Sequence, residues 1–193
     1  VTKINYNNYN YSNIDLDVSF VRGLYKGQIK ANDPNLKMNF DGLVDLRNKN
    51  SRYDFHINVE NADLKKLNFM DDAISKFKGD IIVNLTGNTI DNLAGDIHIK
   101  ETIYTNAKAT YDFEDFYINS TFDTNRIRTI TLSSADIIEG EIVGKYQFNQ
   151  LQNLVKNSLG SLYANYKPVK VKKGQFLKFD FTIYNKIIEI FYP

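Results

Sequence analysis

The chain contains no cysteine, which excludes disulfides and thiolate-bound metals. It has three prolines and ten glycines in 193 residues, too few breakers for a loop-rich enzyme. No apolar run reaches the ~18 residues that a membrane-spanning helix requires. No signal peptide stands at Val1 and no initiator methionine is present, while the last residues, "IIEIFYP", still read as strand. Both ends look cut, so the chain is expected to be one internal segment, 1–193, of a longer protein. The formal net charge is +1, which leaves no overall field to attract nucleic acid.

What is present is a wealth of aromatics, with 13 Tyr and 13 Phe, and of asparagine. Alternation with period two recurs throughout. In "NLKMNFDGLVDL" the residues Leu36, Met38, Phe40, Val44 and Leu46 share one parity and polar residues take the other. After the polar turn "NKNSR", "YDFHINVE" sets Tyr53, Phe55, Ile57 and Val59 on one side, and the two runs read as a hairpin. Ile14, Leu16, Val18 and Phe20 alternate likewise, as do Ile81, Val83 and Leu85, then Ile97 and Ile99. Further runs give Ala107, Ala109, Tyr111 and Phe113; Phe116, Ile118 and Phe122; Ile142, Tyr146 and Phe148; and Leu177, Phe179, Phe181 and Ile183. Runs this frequent, joined by short polar turns, predict an antiparallel meander. Glycine precedes several of them, as in "GLYKGQIKA" and "EGEIVGKYQF". That is either turn chemistry or a structural unit repeated along the sheet.

Two segments depart from the alternation. Leu151, Leu154, Val155, Leu159 and Leu162 fall at helical spacing and predict one short amphipathic helix near 150–164, with Pro168 barring its extension. A helical turn is expected around Asp71–Phe77.

Candidate chemical groups are few. His56 and His98 lie on the polar parity and could share a metal only if their strands were neighbours and further ligands joined them; exposed strand histidines are the simpler reading. The carboxylates Asp15/Asp17, Asp71/Asp72, Asp112/Glu114/Asp115 and Glu139/Glu141 sit on the polar parity or in turns, as solvated groups do. "DPN" at 33–35 reads as a turn with Asp accepting a local bond. "DTNRIR" lacks the glycine of a calcium loop. No phosphate loop, nucleophile elbow, dinucleotide fingerprint or zincin motif occurs, so no enzyme activity, metal or cofactor is expected. The basic stretch "YKPVKVKKGQF" (166–176) has the makings of an anion patch but reads first as a solvated connection.

An apolar sheet face must be covered. One helix, ~10 Å wide, cannot roof eight or more strands at ~4.8 Å spacing. The sheet is therefore expected to curl on itself, into either a dry-cored sandwich or barrel or an open apolar trough. Periodicity alone allows both.

"GQIKANDPNLKMNFDGLVDL", "YDFHINVENADLKKLN", "LTGNTIDNLAGDIHIKE" and "LQNLVKNSLGSLYANYKP" together resemble the AsmA-like/TamB family of diderm bacteria, closest to its Bacteroidetes-type members, from about Gly23 to Pro168. The resemblance implies a mostly β protein, an elongated curled antiparallel sheet of β-taco form, in the periplasm, anchored in the inner membrane in its full length. It implies a hydrophobic groove that carries phospholipid between inner and outer membranes, and a link to outer-membrane protein assembly with a TamA-type barrel. It carries over no catalytic residue. The groove lining is expected to be Leu36, Met38, Phe40, Val44, Leu46, Tyr53, Phe55, Ile57, Val59, Ile81, Val83, Leu85, Ile97 and Ile99. A scaffold that receives nascent outer-membrane strands, or a β-sandwich that presents aromatics such as Tyr117 and Tyr184 to glycans or proteins, are the alternatives.

Overall fold

Long alternating runs leave backbone N–H and C=O groups that neighbouring strands must satisfy, and short connections make those neighbours antiparallel. The computed structural model describes residues 3–186 and Ile188; the rest of the strand-like stretch 187–193 lies outside the described residues. The strands are β1 (Lys3–Tyr6), β2 (Tyr9–Ser12), β3 (Ile14–Val21), β4 (Leu24–Asp33), β5 (Leu36–Asp45), β6 (Arg52–Asp63) and β7 (Ser75–Thr86). They continue as β8 (Ala94–Asn106), β9 (Thr110–Phe113), β10 (Phe116–Phe122), β11 (Arg128–Ser133), β12 (Ile138–Lys145) and β13 (Phe176–Ile183). A 3-10 turn, Phe148–Gln150, leads into helix α1 (Leu151–Gly160).

Strands β3 to β13 form one 11-stranded sheet in the order β13-β12-β11-β10-β8-β7-β6-β5-β4-β3, with β9 also paired to β8. Every pairing is antiparallel. Hairpin β1–β2 stands apart as a 2-stranded sheet. The large sheet is open, since β3 and β13 do not pair with each other. Apart from hairpin β1–β2, no second sheet packs on it among the described residues: beyond neighbouring strands, the main contacts are β2 on β4 and α1 on β13. The expected elongated antiparallel sheet with one short helix is the architecture observed; the sandwich and the closed barrel are not.

Cross-strand partners share a face, so the register turns sequence parity into rows. One row runs Leu16–Ile29–Phe40–Ile57–Ile81–Ile99–Phe116. The next runs Val18–Gly27–Gly42–Phe55–Val83–Ile97–Ile118–Leu132–Gly140–Phe181. Ten strands at ~4.8 Å spacing make this second row about 43 Å long. The face carrying these rows is called inner below. The connections alternate between two rims, one holding Pro34–Asn35 and residues 64–74, the other holding residues 46–51, 87–93, 123–127 and 146–175.

The first rim is capped. Hairpin β1–β2 and the 64–70 loop close over the inner face, burying Tyr11, Ile14, Ala31, Val59, Ala62 and Leu67 against Leu36, Met38, Ile57 and Phe77. Beneath this cap the register shifts between Lys37 and Met38, Val59 and Ala62, and Lys78 and Asp80. Such bulges bend their strands. Further along, Gly27 and Gly42 face each other across β4 and β5, with φ of 151° and 150°. A Cβ on Gly42 would lie 2.4 Å from Phe55 Cα, so only glycine fits. Gly23 does occupy a turn, but Gly27, Gly95 and Gly140 sit inside strands, where glycine kinks supply curvature. The glycines of the repeated pattern thus serve the sheet as well as its turns.

Three expectations need correction. No helical turn forms at Asp71–Phe77; Ser75 begins β7, and its carbonyl accepts the Leu64 amide at 2.7 Å. The turn in this region comes earlier, where the Leu67 amide donates to Asp63 O at 3.0 Å. The helix stops at Gly160 rather than 164, because Tyr166 packs on that glycine and the Asn157 side chain holds both the amide and the carbonyl of Val169 at 2.8 Å. Ala107 and Ala109 belong to a turn in which Asn106 Oδ1 accepts the amides of Lys108 and Ala109, and Tyr146 and Phe148 lie beyond the end of β12.

Candidate functional site

The register places the expected lining residues of β5 to β8 on the inner face together. Leu36 and Met38 lie beside Ala62 and Val59; Phe40 and Val44 lie beside Ile57 and Tyr53. Phe55 pairs with Val83, Ile57 with Ile81, and Tyr53 with Leu85; Ile81 and Val83 in turn meet Ile99 and Ile97. The Phe40 and Phe55 rings lie 5.4 Å apart between centroids. Leu46 is the outlier. It sits one residue past β5 and is 48% exposed, with its amide on Gly23 O at 2.9 Å.

The cap covers one end of this face and the 87–93 loop leans over part of its middle; the rest carries no second layer among the described residues. Of the expected lining, only Val59 and Val83 are buried, and the remainder are half-buried or, for Leu46, exposed. Toward the β3 edge the apolar side chains open fully, with Phe20 60% exposed. Apolar side chains left open side by side are the kind of surface at which proteins bind ligands or partners. An open pocket of about 290 Å³ lies on it, lined by Tyr53, Phe55, Val83 and Leu85 beneath Ile90 and Leu93 of the 87–93 loop.

At the second rim, Arg128 reaches into the sheet from β11 and is only 6% exposed. Its Nε donates to Ser120 Oγ at 2.8 Å, and its terminal nitrogens donate to Ile90 O at 2.8 Å and Leu93 O at 2.7 Å. The guanidinium lies 5.3 Å from the Phe122 ring centre and 5.1 Å from that of Phe148. Burial pushes it down from the ordinary guanidinium value. At the first rim Asp33, 1% exposed, accepts from Tyr9 Oη at 2.6 Å, from the amide and hydroxyl of Ser12 at 2.8 Å, and from the Asn35 amide at 2.9 Å. Burial alone would raise this carboxyl, but the donors outweigh it and hold it below the usual range.

The outer face is wet. His56 and His98 both align with Ile82, so a strand separates them by about 10 Å. Each finds its own carboxylate, Asp80 at 2.5 Å and Asp115 at 3.0 Å, and His98 stacks on Tyr117 at 3.6 Å. Among the described residues no three His, Asp or Glu side chains gather as a metal site. Tyr184 does not stand free, since its hydroxyl donates to Glu139 at 3.1 Å. The lysines of 166–176 are exposed along an irregular connection, fastened to the helix by Gln150, which accepts the Lys172 amide at 2.9 Å.

Sequence reasoning missed β11, whose "RTITLS" carries Ile130 and Leu132 into the inner rows. It also missed Ile29, the folded-over 87–93 loop and Arg128. Alternation in "RTITLS" signals the strand and sets Arg128 on the parity of Ile130 and Leu132; nothing local signals its acceptors, carbonyls 35 and 38 residues away. Among the described residues no helix is long and apolar enough to cross a membrane. No protein-family model, curated protein or solved structure matches the chain, so the inner face stands as the candidate site on its geometry.

Proposed function

We propose that the chain carries lipid acyl chains along the inner face of its sheet, as one segment of a longer periplasmic protein anchored in the inner membrane. One observation carries this reading: apolar rows that cross strand after strand and, beyond the cap at the first rim, lie under no second sheet among the described residues. Acyl chains lying across the strands would remove that surface from water, each fully covered large side chain contributing roughly 1.5–3 kcal/mol. Head groups would stay at the hydrated rims. Transport of this kind is passive; it breaks no bond and needs no cofactor. The AsmA-like/TamB resemblance agrees with it and supplies the direction of the proposal, phospholipid passing between inner and outer membranes.

Native mass spectrometry of the purified chain tests the reading, with co-purified phospholipid expected. Phe40→Asp and Phe55→Asp place a charge in the lining, which is costly against hydrocarbon, and should abolish lipid retention in variants that keep wild-type circular dichroism. Retention at the wild-type level in both would refute the reading. A second reading rests on the open edges of β3 and β13, which offer main-chain groups to an incoming strand. In that case the chain is a scaffold for outer-membrane proteins beside a TamA-type barrel. Crosslinkers along β3 separate the two, capturing lipid in the first case and barrel strands in the second.

A further inference from the structure

A second, larger pocket of about 690 Å³ opens at the second rim, between the 87–93 loop and the 123–127 turn. Phe122, Arg128 and Gly144 line it, and all three belong to one inner-face row. Three of the pocket's lining residues therefore stand on the apolar face. Its polar lining is unusual in two independent ways. Arg128 is a buried cation with no carboxylate in ion-pair range among the described residues. Its partners are two carbonyls and a hydroxyl, and a guanidinium carries five N–H donors, so donors remain. Tyr146, also lining the pocket, has a buried hydroxyl with no partner.

Arg128 asks for an anionic acceptor, since Asp91 acts on it through space without forming an ion pair, and the Tyr146 hydroxyl asks for an acceptor of any kind. Burying a charge without a counter-charge is costly, as is burying an unpaired hydroxyl. Arg126 and Lys145 add two exposed cations to the lining. The pocket's two carboxylates are engaged by backbone: Asp123 accepts the amides of Asn125 and Ile127 at 2.8 and 2.7 Å, and Asp91 accepts that of Phe148 at 2.7 Å.

We propose that this rim pocket is a phosphate site, which seats the head group of an anionic phospholipid whose acyl chains lie on the inner face. The proposal rests on the groove reading and deepens it. The free donors of Arg128 hydrogen-bond the phosphoryl oxygens, the Tyr146 hydroxyl, closed off from solvent, turns onto them on binding, Arg126 and Lys145 supply field at the mouth, and Phe122 begins the apolar path. An arginine fork suits phosphate oxygens.

The test is calorimetric binding of three probes at one ionic strength: a short-chain phosphatidylglycerol below its micelle concentration, inorganic phosphate, and a short-chain diacylglycerol. The wild-type chain should bind the phospholipid at least tenfold more tightly than either partial probe. Tyr146→Phe, and separately the double variant Arg126→Gln/Lys145→Gln, should each weaken phospholipid binding about tenfold while leaving diacylglycerol binding unchanged. Neither variant disturbs the carbonyl contacts of Arg128, and unchanged thermal melts check the fold. Phospholipid binding undiminished in both variants would overturn the head-group site and leave the groove standing. Phosphate binding as tightly as the phospholipid would overturn the link to the groove. Absence of phospholipid and diacylglycerol binding alike would overturn the groove reading and this site with it.

Discussion

Asn7 and Asn68, 61 residues apart in the chain, hold each other's backbone. Asn7 Nδ2 donates to Asn68 O at 2.5 Å, and Asn68 Nδ2 donates to Asn7 O at 3.0 Å. Both residues sit at positive φ, 49° and 61°, a conformation asparagine tolerates better than most residues. This clasp joins the β1–β2 hairpin to the 64–70 loop and shuts the cap over the first rim. Asn7→Ala or Asn68→Ala should each cost about 1–2 kcal/mol, from one hydrogen bond and left-handed backbone strain. The double variant should cost less than the sum, by about 0.5–1.5 kcal/mol. Urea titration of the four proteins measures this.

Asp33 makes the same cap sensitive to acid. Its folded carboxyl titrates below the unfolded value, which is near 3.9 for a free aspartate. The stability it contributes is thus fully present above that unfolded value and drains away as pH falls through the folded one. Asp33→Asn should cost about 1–3 kcal/mol at pH 7, because it breaks charge-assisted bonds in a buried place. The difference between wild type and Asp33→Asn should shrink as pH falls below 4. Urea midpoints taken between pH 7 and pH 3 report the trend.

Substituting Gly42 tests the close glycine pairing of β4 and β5. Alanine there meets Phe55 Cα at 2.4 Å as well as an unfavourable φ, and should cost about 3 kcal/mol or more. Gly174 makes the control. Its φ is also positive, at 79°, but nothing lies within 4 Å of an added Cβ, so Gly174→Ala should cost about 1 kcal/mol. Comparing their thermal midpoints separates the clash from the backbone preference.

An open face also predicts weak core behaviour. In a closed hydrophobic core, Phe→Ala costs about 3–5 kcal/mol. Phe40 is only half-buried, so Phe40→Ala should cost about 1–2 kcal/mol in lipid-free protein. Val59, beneath the cap, is buried, and Val59→Ala should cost at least as much despite its smaller side chain. Equilibrium unfolding of both variants checks the reversal of the usual size order.

Parity made most of the sheet legible. Phe40, Phe55, Val83 and Ile97 were assignable to one face because a strand repeats every two residues, whatever its partners. The helix was legible too, from leucine spacing, although its end was not: Tyr166 stops it by packing on Gly160 from beyond the helix. The cap was illegible because its hydrogen bonds join residues of distant sequence, such as Asn7 with Asn68. "NFMDDAISKF" was misread as a helical turn since its local composition says nothing of the Ser75 carbonyl that fixes its end in the sheet. The choice between a dry core and an open trough depends on what lies across the face, which no periodicity encodes.

The strand order has a consequence for how the molecule comes into being. Apart from β10 reaching past β9 to β8, each strand of the large sheet lies against the one made just before it. Each such pairing closes only the connection between two successive strands, which keeps its loop-closure cost small. A strand emerging during synthesis finds its partner already waiting, so the sheet lengthens like a ladder assembled rung by rung. Adding or removing hairpins at its far edge would lengthen or shorten the ladder without disturbing the rungs already laid.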